Sequence, residues 1–209
     1  LVLEHLNSPD SGRRYAAIRE LTDLGGPRAV DLLVPRLKDP DPYIRGETAH
    51  ALHTIKDARA LPAILNQAWV EEDHYSLFYL IQAIGSLSSP GDAESISVIA
   101  KHYWDRGRDS SDRGYSDDAL TALKAGDDQK LAIYARGLRS DDESMRDAAI
   151  RSIRDLGNPS GIRILEDRMN GETDEQTLQF LQEAIDSLKE ALRSSVPIAR
   201  VQKSPFNPN

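Results

Sequence analysis

Glu47, His50 and His53 recur every third residue, a spacing that sets a carboxylate and two imidazoles along one side of a helix, as metal ligands are often set. The outer two drift apart around a helix over six residues, so the trio is expected to be a solvated face and no metal site is expected. Between Trp69 and Trp104 lie both tryptophans with Tyr75, Phe78, Tyr79 and Tyr103, and His74 and His102 join them. Aromatic rings offer large rigid contact area at small entropic cost, so this concentration marks a contact centre, with Trp104 expected to be its most exposed member. The alternative is that Phe78, Leu80, Ile81 and Ile84 pack a core. From Asp105 to Gly114 a mixed-charge stretch is expected to form a mobile loop. Its Arg106, Arg108 and Arg113 could clamp carboxylates on a partner or on a tetrapyrrole, or be neutralised by Asp105, Asp109 and Asp112.

Other chemistry is excluded or unassigned. The 209 residues include no cysteine, so this chain supplies no thiol nucleophile, thiolate ligand or disulfide. There is no glycine-rich phosphate loop, and no grouping of Ser, His and Asp can be inferred, so catalytic residues are unassigned. A net charge of -8 opposes binding to nucleic acid and to anionic membrane surfaces. No apolar run approaches the roughly 20 residues of a membrane-spanning helix. A soluble compartment, cytoplasm or plastid stroma, is expected. The opening Leu1-Val2-Leu3-Glu4 has the look of mid-helix, so some natural N-terminus is expected to be missing.

The elements that carry these residues are set by a repeat. Arg14-Tyr15-Ala16-Ala17-Ile18-Arg19, followed by Asp23-Leu24-Gly25 and Pro27, returns as Arg146-Asp147-Ala148-Ala149-Ile150-Arg151, followed by Asp155-Leu156-Gly157 and Pro159. Leu33 and Arg36 then match Leu165 and Arg168. A weaker copy follows the first after about 31 residues, with Pro40, Arg45, Leu52, Ile55 and Ile64 facing Pro9, Arg14, Leu21, Leu24 and Leu33. Further units centre on Ile81, Ile84 and Leu87, on Leu120 and Leu123, and on Leu181, Ile185 and Leu188.

Within a unit, Ser8-Pro9-Asp10 or Asp39-Pro40-Asp41 caps a first helix, and Gly25-Gly26-Pro27 or Gly157-Asn158-Pro159 ends it and opens the second. Ile18, Leu21 and Leu24 form one apolar stripe and Val30, Leu33 and Leu37 the facing one, which only stacking of units can bury. Small residues at Ala16, Ala17, Ala148 and Ala149 let neighbouring helices approach. The pattern predicts an all-α fold: a right-handed solenoid of about six helix pairs over 1–193, with a flexible tail over 194–209.

The repeated units and the Asp39-Pro40-Asp41-Pro42-Tyr43-Ile44-Arg45 turn resemble the HEAT-like repeats first grouped with phycobilisome lyases, from about Leu3 to Leu192. That resemblance, to the E/F type of bilin lyase, implies attachment, removal or chaperoning of bilins on a phycobiliprotein subunit. The acceptor would supply the thiol, and a second HEAT-like chain could complete the unit. No cofactor is expected to be covalently bound here, and a transient bilin, phycocyanobilin or phycoerythrobilin, would be the ligand. Two other HEAT-like families compare less well. Deoxyhypusine hydroxylase uses His-Glu pairs for its di-iron centre, where this chain has Gly46-Glu47 and Arg146-Asp147; alkylpurine DNA glycosylases have a basic concave face, and this chain is acidic.

A protein-binding solenoid is therefore expected, with a non-catalytic adaptor as the competing possibility. Its contacts are expected at Trp69, His74, Tyr75, His102, Trp104, Arg106, Arg108, Arg113 and Tyr134. Outward positions of second helices on a concave face, Arg28, Arg36, Arg59, Asn66 and Arg163, would extend them.

Overall fold

A computed structural model describes residues 1–104 and 110–195, and these are all-helical, with no strand among them. The order is α1 (Val2–Leu6), α2 (Ser11–Leu24), α3 (Gly26–Leu33), α4 (Pro42–Ile55), α5 (Leu61–Val70), α6 (His74–Leu87), α7 (Ala93–His102), α8 (Ser110–Ala122), α9 (Asp127–Gly137), α10 (Glu143–Leu156), α11 (Ser160–Met169) and α12 (Glu175–Ser195). Short 3-10 segments cover Val34–Lys38 and Ala58–Ala60. None of these helices is long and apolar enough to cross a membrane. The twelve α-helices among the described residues are what six pairs require, but the phase differs, since α12 stands in the sixth unit as a single helix of 21 residues. The tail assigned to 194–209 lies outside the described residues from 196 onward.

The chain divides into two compact units, Leu1–Lys130 and a second beginning at Leu131. In the first, the first helices α2, α4, α6 and α8 pack side by side, and α5 packs on α7 in a parallel layer of second helices. In the second unit α10 packs on α11 and α12. The aliphatic seam is the predicted one: Ala17, Ile18, Leu21, Val30, Leu33 and Leu37 are buried, as are Ile150, Ile153, Leu165, Leu181, Ile185 and Leu188. Leu24 departs from it at 70% exposed, and Ala16 is also exposed, because both point away from the neighbouring helix. The closest helix approaches are instead at glycines. A Cβ on Gly46 would lie 2.6 Å from the Tyr75 ring, and one on Gly85 would lie 3.0 Å from the Ala119 backbone.

An aspartate caps nearly every first helix. Asp10 accepts from the Arg13 amide at 2.9 Å, Asp41 from Tyr43 at 3.0 Å, Asp73 from Ser76 at 2.9 Å, Asp142 from Ser144 at 2.8 Å and Asp174 from Thr177 at 2.8 Å. Each such cap is worth about 1 kcal/mol. Four residues into the helix, an arginine turns back to the same linker: Arg14 reaches the Ser8 and Pro9 carbonyls, Arg45 those of Asp39 and Pro40, and Arg146 those of Ser140 and Asp141. This shared task explains why arginine recurs in the repeated sequence.

The same guanidinium locks one repeat to the next. Arg14 donates to the buried Asp39 at 3.0 Å, and Arg45 clasps Glu71 through two bonds of 2.7 Å. Burial pushes the Glu71 carboxyl up, but bonds from Arg45, Gln67 and the Asp73 amide outweigh that and hold it below the usual carboxylate range. Arg36 and Arg168, matched in the sequence, also do matching work. Each donates to the carbonyl that closes the preceding second helix, Leu6 at 3.2 Å and Leu138 at 3.2 Å.

Candidate functional site

The aromatic residues between Trp69 and Trp104 fall into two groups. At the ends of the second helices α5 and α7, the His102 ring lies 2.7 Å from the Ala68 carbonyl and is buried, while the buried Tyr103 donates to Asp117 at 2.8 Å. Trp104 packs edge-on against Tyr103 at 4.9 Å and is half-buried, so Trp69, at 48% exposed, is the more open tryptophan. Trp69 carries Lys101 over its ring at 4.8 Å, and the same ammonium donates to the Trp69 carbonyl.

The second group lies on the first-helix layer and is larger than the sequence suggested. Tyr15 of α2 meets Tyr43 of α4 at 5.6 Å between ring centroids, and Tyr43 stacks on Tyr75 of α6 at 5.4 Å. Tyr75 meets Tyr79 edge-on at 5.1 Å, and Tyr79 meets His50 at 4.9 Å and Phe78 at 4.8 Å. Tyr43 and Tyr75, 45% and 38% exposed, share one register, two residues after the capping aspartates Asp41 and Asp73. Gly46 makes room for the Tyr75 ring, which is why the stack can form across two helices.

Glu47 stands at the centre of this face and accepts the Tyr75 hydroxyl. Burial, then that bond and the carboxylate's charge, raise the Tyr75 phenol above its ordinary value, so it remains a donor; burial and Glu47 raise Tyr43 in the same direction. A cleft of about 210 Å³ between α2 and α4 opens beside Glu47 and is lined by Tyr15, Arg19, Asp23, His50 and Thr54 as well. His53 is turned away from Glu47 toward α6, with Nδ1 2.8 Å from the Ser86 hydroxyl. Burial, then the charges of His50 and Lys56, lower its pKa and favour the neutral ring. The trio spaced like metal ligands is thus spread over three tasks, and among the described residues no three His, Asp or Glu side chains group to hold a metal ion.

The remaining expected contacts are scattered. Arg28 and Asn66 are exposed on α3 and α5, and Arg59 is exposed but paired with Asp57 at 2.7 Å and Asp31 at 3.6 Å. Arg163 is exposed on α11 in the second unit, and His74 is exposed at the start of α6. Arg36, expected to face outward, is instead held in the packing by the Leu6 carbonyl and by Asp39. Tyr134 and His102, also expected at the surface, are buried, His102 against the Ala68 carbonyl. Arg106 and Arg108 lie outside the described residues. The expected loop does not extend to Gly114, since α8 already begins at Ser110 and carries Arg113, whose side chain is outside the description. Tyr15 and Tyr43 were missed as site residues, and Tyr79, counted in the contact centre, was not among the expected contacts. For Tyr43 the signal was the return of tyrosine, as Tyr75, at one register of successive first helices rather than local density.

A groove in the same register occurs in the second unit. Between α10 and α12 a cleft of about 440 Å³ is lined by Glu143, Asp147, Arg151, Gln176, Phe180 and Glu183, with the Arg151 guanidinium 5.6 Å from the Phe180 ring centre.

A family profile described as HEAT repeats matches residues 1–85. The repeats are HEAT-like. A curated relative, the deoxyhypusine hydroxylase of Cryptococcus neoformans, is 28% identical over 107 residues, which is 50% of this chain and 30% of that protein. The match thus spans under a third of that relative's length. Among solved structures, the TOG domain of human Cep104 superposes with a TM-score of 0.52 at 14% identity, covering 91% of this chain and 90% of that one, which shows the fold alone. The complex of CpcE and CpcF of phycocyanin lyase from Nostoc sp. PCC7120 gives a TM-score of 0.41 at 18% identity, covering 90% of this chain and 93% of that one.

Proposed function

We propose that this chain is a protein-binding HEAT-like module whose contact surface in the N-terminal unit is the tyrosine face of α2, α4 and α6. The observation that carries this is the stacked Tyr43–Tyr75 pair, held outside the core with both rings substantially exposed. Stacked, rotamer-restricted tyrosines lose little entropy on being covered and present both apolar area and hydroxyls, which suits a protein partner. The test is capture of partners from a native extract by the native chain and by a Tyr43→Ala/Tyr75→Ala variant of unchanged helicity. The partner retained by the native chain and by Arg163→Ala should be lost from the double variant. Equal retention by all three would remove the tyrosine face from the proposal.

A finer reading is supported by the resemblance of the repeated units to the E/F-type lyases. In it the partner is a phycobiliprotein subunit, a second HEAT-like chain completes the unit, and phycocyanobilin or phycoerythrobilin is enclosed transiently during attachment. Enclosure would orient the bilin and the acceptor thiol, with no covalent bond to this cysteine-free chain. Titration with phycocyanobilin, followed by absorbance and tryptophan quenching with and without a candidate subunit, decides it. No spectral change in either arm leaves the adaptor without a small-molecule ligand.

A further inference from the structure

We infer that the tyrosine face is a receptor for a guanidinium group, the side chain of an arginine that a partner protein presents to Glu47. This rests on the reading of that face as a contact surface and names the chemistry it takes. Three observations converge. Glu47 accepts one bond, from the Tyr75 hydroxyl, and forms no ion pair among the described residues, unlike Glu71 and Asp39 in the linkers, which arginines of this chain already hold. The rings of Tyr15, Tyr43, Tyr75, Tyr79 and His50 form an unbroken series of contacts of 4.9 to 5.6 Å, from which Tyr75 donates to that carboxylate and Tyr15 and His50 line the cleft with it. The cleft beside it, about 210 Å³, opens to solvent between α2 and α4.

A ring face is negative at its centre and attracts a cation, and a carboxylate at the end of the aromatic walls adds a directed acceptor. Guanidinium suits this better than ammonium, because it is planar, stacks on tyrosine and sheds water more readily. The other charges facing the cleft are Arg19 and Asp23, opposite in sign and both on α2, so Glu47 sets the balance. The net charge of -8 acts in the same direction on a basic partner.

The experiment titrates the full chain with the capped peptide Gly-Gly-Arg-Gly-Gly and with its citrulline counterpart, which keeps the shape and loses the charge, reading tyrosine ring and Glu47 resonances by NMR. The arginine peptide should give saturable shifts confined to this face, weakened by salt, and the citrulline peptide should give none. Glu47→Gln should weaken binding about tenfold. Tyr75→Phe keeps the ring and frees the carboxylate, so it should bind at least as well as the native chain. It also keeps the test decisive if Glu47→Gln fails to fold. Equal shifts with citrulline, undiminished binding by Glu47→Gln, or loss of binding in Tyr75→Phe overturns the inference. Such a result leaves the dependence of partner capture on Tyr43 and Tyr75 standing, so the two failures are distinct.

Discussion

The groove between α2 and α4 and the groove between α10 and α12 are built on one register and decorated oppositely. Counting from the capping aspartates Asp10 and Asp142, Tyr15 in the first corresponds to Asp147 in the second. Counting from Asp41 and Asp174, Tyr43 corresponds to Gln176, Gly46 to Gln179, Glu47 to Phe180 and His50 to Glu183. Inward positions hardly change: Ala17 and Ile18 match Ala149 and Ile150, all buried. Packing against the next helix constrains the inner face of each repeat at every methyl group, while the outer face is bound only by solubility. The outer face is therefore where two copies of one unit can take different ligands, and here one groove is aromatic around a carboxylate and the other acidic around a phenyl ring.

The largest expected effect tests whether the linkers beneath the two grooves are equally strong. Arg45→Ala leaves Glu71 buried without its partner and should cost about 3 kcal/mol of unfolding free energy in urea. Arg146→Ala, which gives up two carbonyl bonds and, among the described residues, no ion pair, should cost about 1.5 kcal/mol. The pH dependence follows from the lowered pKa of Glu71. Its contribution is complete above the unfolded carboxylate value of about 4.3 and is lost as pH falls through the lower native value, so Arg45→Ala should flatten the acid limb of the stability profile. Equal costs for the two variants would mean that the clamp to Glu71 adds nothing beyond the carbonyl bonds.

Next in size is the close approach that permits the tyrosine stack. Gly46→Ala places a methyl 2.6 Å from the Tyr75 ring and should cost about 2 kcal/mol, with loss of near-ultraviolet circular dichroism as the ring is displaced. Gln179→Ala at the same register of α12 is exposed and should lie within about 0.5 kcal/mol of the native chain. A silent Gly46→Ala would show that Tyr75 is free to move, and that the stack is not fixed by the helix spacing.

The inner half of this comparison was legible in the sequence and the outer half was not. Arg14, Arg45 and Arg146, the Asp-capped turns and the aliphatic stripes recur because every repeat must close the same linker and bury the same seam. Tyr15 and Tyr43 escaped notice because each is a single tyrosine on an otherwise ordinary helix, and only the 32-residue register of Tyr43 and Tyr75 aligns the stacked pair. Density along the chain pointed to Trp69 through Trp104 instead and merged two groups that the fold separates. His102 and Tyr134 failed as surface residues for a related reason, since periodicity alone did not show which polar rings the neighbouring helices cover.

A smaller effect is expected from His53, which has no imidazole counterpart in the second groove, where Asp186 takes its place. Its native pKa is lowered, chiefly by burial, so the unfolded chain binds the proton more readily. Stability is then greatest above the unfolded value of about 6.5 and declines as pH falls from there to the native pKa, below which the slope vanishes. His53→Gln should remove that decline in thermal melts between neutral and mildly acidic pH. An unchanged slope would place the titrating group elsewhere.

The smallest effect concerns how the first helices end. Fifteen residues after the caps Asp41 and Asp142 stand Lys56 and Gly157, and both adopt left-handed backbone, with φ of 58° and 68°. In that region the side chain of an L-residue crowds its own carbonyl at a cost of about 1–2 kcal/mol, which glycine avoids. Glycine gives back part of this through the greater entropy of the unfolded chain, about 0.4–1 kcal/mol. Lys56→Gly should therefore stabilise the N-terminal unit by about 0.5–1 kcal/mol, and Gly157→Lys should destabilise the second unit by a similar amount. Both are read as shifts in the urea midpoint with no change of slope. The pair discriminates backbone strain from charge: Lys56→Ala removes the ammonium and keeps the strain, so it should leave stability unchanged. If it instead stabilises as much as Lys56→Gly, the lysine is disfavoured there by its charge and not by its backbone.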